Sequence, residues 1–332
     1  MSPRRYELGE QIGAGGFGTV HRGRLFGEGG FSKEVAIKLL HADTQSHPEI
    51  ASRLRDEARL LGLLNARSIV RVEDLIQIDG RWAVVMELVP GEDLGTLLKR
   101  GPVPPRVVAE IGVEVARALE AAWNGAGDTG PLRAVHRDVK PANIRITPTG
   151  EVRVLDFGVA RACFSEREAQ TRSLSFGSPG YIAPERYEGV DSHAADVFAL
   201  GVVLLESLTA KKLGQLPPHP DRLAAMRDAA LQRVSDVVLR GLIGRMLAYE
   251  AAERPTAAEV ARRLREHAPR LAAPWLADWA PVVVAGAPAP VDLLVDSLST
   301  LASPTGMPRG AGDSSRGRVA GRRSASPPGP GS

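Results

Sequence analysis

Four side chains between Val135 and Gly158 could do chemistry together. The stretch reads V-H-R-D-V-K-P-A-N-I and, after an interval, L-D-F-G. Asp138 is a candidate general base, and Lys140, two residues on, places a cation near it. Asn143 and Asp156 offer an amide and a carboxylate oxygen. These are hard donors that suit Mg²⁺, an ion that takes few protein ligands and keeps several waters. Between them, Ile146 to Leu155 alternates apolar and polar residues around a Pro148/Gly150 turn, the pattern of a β-hairpin. A hairpin returns the chain to its start, so Asp156 is expected beside Asn143.

The elements that must position these groups lie on both sides of the stretch. Val35-Ala-Ile-Lys-Leu-Leu40 reads as a short apolar strand carrying one cation, Lys38. Arginine outnumbers lysine 36 to 6, so lysine at both 38 and 140 would arise from composition about 2% of the time, (6/42)². Both positions are therefore read as needing a compact point charge. Glu49 to Asn65 has helical periodicity, with Ile50, Leu54, Ala58, Leu61 and Leu64 on one stripe. Glu57 lies on or beside that stripe, where a carboxylate is costly unless it meets a cation, and Lys38 is the candidate. Tyr6 to Leu25 reads as two strands joined by a glycine-rich turn, with Gly13, Gly15 and Gly18 at G-x-G-x-x-G spacing followed by Val20. Such glycines let backbone N–H groups close over phosphates. A Rossmann dinucleotide turn and a plain hairpin share the spacing, although a Rossmann turn should open a helix and here a strand follows.

Further along, Arg81 to Gly91 is a buried strand running into a turn, and Arg106 to Trp123 is a helix. Residues 124–134 are polar and glycine-rich, as expected of a flexible surface loop. Residues 159–178 are polar and hydroxyl-rich and are expected to be mobile. They include Thr171, Ser173 and Ser175, candidate phosphorylation sites for which Arg137 and Arg161 are candidate cations. Val197 to Leu208 is apolar on most faces, the mark of a core helix, with Asp196 or Ser192 as its cap. Two more helices are expected over 234–249 and 257–267.

Together these residues resemble the protein kinase family, in particular bacterial eukaryotic-like serine/threonine kinases. The glycine loop, the Val-Ala-Ile-Lys38 strand, the helix glutamate, His136-Arg-Asp138, Asp156-Phe-Gly158, Ala183-Pro-Glu185 and Arg254-Pro-Thr all occur, in order. The lysine two residues after Asp138 is the serine/threonine form. The resemblance covers about Tyr6 to His267. It implies an α+β, two-lobed protein kinase fold: a domain over 6–268, with a β-rich N-lobe carrying one main helix (about 6–87) and a mostly helical C-lobe (about 90–268). A linker with possible short docked pieces (269–302) and a disordered tail (303–332) would follow.

The resemblance also implies site roles. Ile12, Gly13, Gly15, Gly18, Val20 and Ala36 would surround ATP from above. Met86 would line the back of the adenine pocket, Glu87 and Val89 would read the adenine edge through their backbone, and Asp93 would approach the ribose. Lys38, held by Glu57, would grip the α and β phosphates. Asn143 and Asp156 would hold Mg²⁺, with Mn²⁺ a possible substitute. Asp138 would accept the proton of a Ser or Thr hydroxyl, and Lys140 would neutralise the γ-phosphate. Ser178 stands where the family has threonine, touching Asp138 and Lys140, and keeps the hydroxyl. Asp196 would anchor the backbone of the catalytic loop, and Arg254 would pair with Glu185.

Composition sets the outer bounds. The chain has 332 residues, 43% of them hydrophobic, and one cysteine, Cys163, so neither an internal disulfide nor a cysteine-based metal cluster is available. The formal net charge is +3; the tail from Ser303 has five arginines and one aspartate, +4, which leaves −1 for the rest. A near-neutral body argues against nucleic-acid binding. The basic tail could meet an acidic partner. No secretory signal and no membrane span are expected, so the chain is read as cytoplasmic. A pseudokinase, a small-molecule kinase and a Rossmann oxidoreductase are the rivals. All the residues whose loss defines the first are present, the Ala183-Pro-Glu185 segment argues against the second, and Lys38 stands where the third needs an acid. Autophosphorylation, with self-association to permit it, and a role in bacterial signalling complete the expectation.

Overall fold

The computed structural model describes residues 5–15, 18–41, 62, 64, 66–127, 130–157, 180–217 and 219–284. The expected helix over 49–65 lies outside these residues apart from Gly62 and Leu64. So do residues 158–179 and the expected tail.

Five antiparallel strands form the first layer: β1 (Arg5–Gly15), β2 (Gly18–Phe26), β3 (Ser32–Leu40), β4 (Val72–Ile78) and β5 (Arg81–Glu87), in the order β1-β2-β3-β5-β4. β3 runs through the middle, and every residue from Val35 to Leu40 is buried. Side chains alternate across a sheet, so the strand serves two interiors. Val35, Ile37 and Leu39 pack with Leu25, Ala83 and Val85 in a small cluster on one face. Ala36 joins Val84 and Met86 in the large core on the other. Lys38, two residues after Ala36, shares that second face. β4 and β5 turn back on each other at Asp79-Gly80, both with positive φ (49° and 76°). That is the demand of a tight primed hairpin turn, which an Asp-Gly pair meets without strain at the glycine.

The second layer is helical. After the two-residue strand β6 (Glu92–Asp93) come α1 (Leu94–Leu98) and α2 (Pro105–Asn124), the latter with proline in its first turn. α2 buries Val107, Val108, Ile111, Val115 and Leu119 against α3 (His193–Thr209) and α6 (Ala257–His267). α3 is buried on nearly every face, as its sequence requires, but it begins at His193. Ser192 is the cap, its oxygen accepting from Ala195 N, and Asp196 lies inside the first turn. α4 (Pro220–Leu231) and α5 (Val237–Met246) complete the layer.

The segment after α2 departs from the flexible loop expected. Its described residues form two short paired strands, β7 (Ala126–Gly127) and β8 (Gly130–Pro131). Arg133 N and Ala134 N donate back to Trp123 O and Ala122 O, and the Arg133 guanidinium lies over Trp123. Backbone hydrogen bonds and a cation–π contact bind this polar stretch to the helix it leaves.

β9 (Ile144–Ile146) and β10 (Val152–Val154) are the expected hairpin, starting two residues earlier than the periodicity suggested, with β6 added beside β9. Beyond Arg270, α7 (Leu276–Val283) docks onto this layer. Leu276 N donates to Glu110 Oε2 at 2.6 Å, and Val283 O accepts from Arg100 at 2.8 Å. Arg106 bonds the carbonyls of Ala268 and Leu271 and lies over Trp275. Burial pushes the Glu110 carboxyl above its ordinary range, against the pull of the Leu276 amide. Among the described residues, no helix is long and apolar enough to cross a membrane.

Candidate active site

A cleft of about 550 Å³ lies against the inner face of the sheet. Ile12, Gly13, Gly18, Val20, Ala36 and Lys38 line it from β1, β2 and β3. Gly18 can be nothing else: a Cβ there would stand 2.1 Å from Leu39 O. Gly15 ends β1, paired with Gly18. Met86, Glu87, Val89 and Asp93 line the cleft where β5 runs into α1, and Asp138, Lys140, Asn143 and Asp156 line it from below. The structure thus brings residues from six separate segments to one cavity.

Several lining residues were not expected from the sequence. Leu155 and Ala142 add apolar surface, and Val20, Ala36 and Met86 supply more, a lining suited to a planar ring. Leu155 directly precedes Asp156, and that adjacency was the signal available. Arg145 Nε donates to Val89 O at 2.7 Å, and its other arm bonds Gly91 O, so β9 holds the strand-to-α1 turn in place. Burial lowers the Arg145 pKa, and Asp93 and Glu92 oppose the shift. Asp93 caps α1: one oxygen accepts from Thr96 N at 2.9 Å, the other from Thr96 Oγ1 at 2.7 Å. The Glu87 carboxylate accepts from Arg71 N and lies 3.6 Å from Arg153 Nε.

The charged groups pair with one another at the cavity. Lys38 Nζ is 2.8 Å from Asp156 Oδ1, with the lysine side chain 7% exposed. Lys140 Nζ is 2.7 Å from Asp138 Oδ2, and the same oxygen accepts from Asn143 Nδ2 at 3.0 Å. Asn143 Nδ2 also donates to Asp138 O at 2.8 Å. The hairpin does bring Asp156 back toward Asn143: Leu155 N donates to Asn143 O at 2.8 Å.

Behind these groups the catalytic stretch is fixed from inside. His136 N and Arg137 N donate to the two oxygens of Asp196, at 2.6 and 2.8 Å. Asp196 is fully buried, and burial pushes its carboxyl up while His136 and the two amides pull it back. His136 Nδ1 accepts from Asp138 N, so its Nε2 carries the proton given to Leu155 O at 2.9 Å. Phe157 is buried against the imidazole, ring centres 4.4 Å apart. Arg137 Nε donates to Asp191 Oδ2 at 3.0 Å. Arg254 meets Glu185 at 2.6 and 2.8 Å and also bonds the carbonyls of Ala248, Tyr249 and Ala194. Glu57, Arg161, Thr171, Ser173, Ser175 and Ser178 lie outside the described residues.

Comparison with known proteins agrees with this geometry. The protein kinase domain family matches residues 6–264. The chain is 37% identical over 212 residues to the tyrosine-protein kinase MasK of Myxococcus xanthus, covering 61% of this chain and 32% of that one. It is 40% identical over 226 residues to the serine/threonine-protein kinase PknA of Mycobacterium tuberculosis, covering 64% and 50%. The chain thus spans about a third to a half of the length of these curated relatives. The crystal structure of the Mycobacterium tuberculosis PknI kinase domain superposes with a TM-score of 0.58 at 26% identity, covering 79% of this chain and 95% of that one. A sheet, a helical layer and a charged cleft lined by both, matched over most of the chain, place this protein in the protein kinase domain family, with that family's two-lobed fold.

Proposed function

We propose that the chain is a serine/threonine protein kinase that transfers the γ-phosphoryl group of ATP to protein hydroxyls in the presence of Mg²⁺. The observation that carries this is the arrangement of Asp138, Lys140, Asn143 and Asp156 on one side of the cleft, with Lys38 reaching Asp156 from the sheet side. Phosphoryl transfer needs little covalent help and much positioning and charge neutralisation. Asp138 orients the attacking hydroxyl and takes its proton. Lys140, already 2.7 Å from that carboxylate, stands ready for charge on the transferred group. Lys38 exchanges part of its contact with Asp156 for the α and β phosphates, and Glu57 steadies it. The glycine-rich turn closes over the phosphates, and the apolar lining holds the base, with Glu87 and Val89 at its edge and Asp93 toward the ribose.

The donor set fits a divalent ion. Asn143 donates its amide nitrogen to Asp138, which leaves its amide oxygen available to an ion beside the Asp156 carboxylate. Asn143 and Asp156 would hold Mg²⁺, an ion that takes few protein ligands, with Mn²⁺ a substitute. Held by Asn143 and Asp156, the ion would supply neutralisation of phosphate charge.

The same reading takes residues 6–268 as the catalytic domain, 269–302 as a linker and 303–332 as a basic tail for an acidic partner. It includes autophosphorylation at Thr171, Ser173 or Ser175 through self-association, a cytoplasmic place in bacterial signalling, and no nucleic-acid partner. Phosphate incorporation from γ-labelled ATP tests it, comparing the chain with Asp138→Asn. Label on Ser or Thr of the unaltered chain alone is the expected result. Label on tyrosine would move the chain toward the activity that MasK is named for, and no label in either protein would overturn the reading.

A further inference from the structure

Arg137 sits directly before the proposed base and has a φ of +70°. A non-glycine residue in that region is strained and persists where its surroundings over-determine it. Three contacts do so here. Its N–H is held by Asp196. Its guanidinium bonds Asp191 Oδ2 at 3.0 Å, and its carbonyl accepts from Arg186 Nη1. Arg186 Nε donates to the other oxygen of Asp191 at 3.1 Å. The contacts close a ring, running from the Arg137 side chain through Asp191 and Arg186 to the Arg137 main chain. Its members come from the catalytic stretch, from the residue after the Ala183-Pro-Glu185 motif and from the turn into α3. Their side chains are 13–27% exposed, so the pairs are less screened than surface ones.

We propose that Asp191 is a positioning residue for phosphoryl transfer, a carboxylate built into the chain that locks Arg137 and Arg186 and thereby the backbone carrying Asp138. Arg137 already holds an anion, so the catalytic stretch is set without a phosphate on Thr171, Ser173 or Ser175. This rests on the kinase reading and extends it to regulation.

Steady-state kinetics on a serine peptide, with phosphatase-treated protein, tests the idea. Asp191→Asn should lower kcat about tenfold or more while the KM for ATP stays within about twofold, since a small misplacement of the base acts on turnover. Asp191→Glu should recover part of the loss. Arg186→Gln, which opens the ring from its other side, should repeat the kcat loss if Asp191→Asn folds poorly. The triple variant Thr171→Ala, Ser173→Ala, Ser175→Ala should keep kcat within about threefold. Unchanged kcat in both Asp191→Asn and Arg186→Gln, or a collapse of the triple variant with Asp191 intact, would overturn the proposal. An inactive unaltered chain in the same assay would instead count against the kinase reading itself.

Discussion

The fold treats two sets of charges in opposite ways. At the cleft, Lys38, Asp138, Lys140 and Asp156 pair side chain to side chain, and all but Lys38 are 26–33% exposed. Below, the Arg254 side chain is fully buried, saturated by Glu185 and by three backbone carbonyls. Asp196 is likewise buried and spends its oxygens on backbone amides. Side-chain partners at a cavity can be exchanged for phosphates and a metal ion; backbone partners in a core cannot. The first set suits work that changes charge, the second suits holding a shape.

That contrast can be broken or sharpened by substitution. The largest effect is expected at the cleft. Asp138→Asn or Lys38→Met should reduce turnover by about a thousandfold or more while moving the unfolding midpoint little. A variant that unfolded instead would erase the distinction. Next comes Arg254→Leu, which strands the Glu185 carboxylate and should cost about 3–5 kcal/mol in a denaturant titration. A loss under 1 kcal/mol would mean that the pair is as dispensable as a surface one. Ending the chain at Arg270, which removes α7, should lower stability by about 1–3 kcal/mol, whereas ending it at Ala302 should leave peptide phosphorylation unchanged.

The smallest effect is at Asp236, the cap of α5, which also meets His267 at 2.9 Å. Burial alone would raise this carboxyl, but the amides of Leu239 and Val238 and the His267 side chain outweigh it and hold it below the ordinary value. A depressed carboxyl stabilises the fold above the usual aspartate range, and the gain is lost as pH falls through the depressed value. Asp236→Ala should therefore cost about 1 kcal/mol near neutrality, and its deficit should narrow on acidification below about pH 3.8. A deficit independent of pH would point to packing alone.

What could be read from the sequence was what chemistry constrains locally. Asp138, Lys140, Asn143 and Asp156 stand at short, typed spacings, and one hairpin joins them. β3 was legible because an apolar run with a single lysine is unusual. β4 was passed over: Val72 to Ile78 is only half-buried and shows no clean alternation, although Asp79-Gly80 signalled the hairpin it begins. The start of α3 slipped because Ser192 and Asp196 are both fit to cap, and only the backbone decides between them. Arg145, Arg186 and Asp191 were assigned no local role, since their partners lie up to 56 residues away and no spacing rule connects them.

The docking of α7 has a mechanical consequence. Its first residue hangs on Glu110, its last on Arg100, and its backbone touches Gly150, where a Cβ would stand 3.1 Å from Ala277 Cα. Gly150 is the turn of the hairpin that joins Asn143 to Asp156. The turn between Asn143 and Asp156 is therefore backed by α7, and a side chain at position 150 would have to displace that helix.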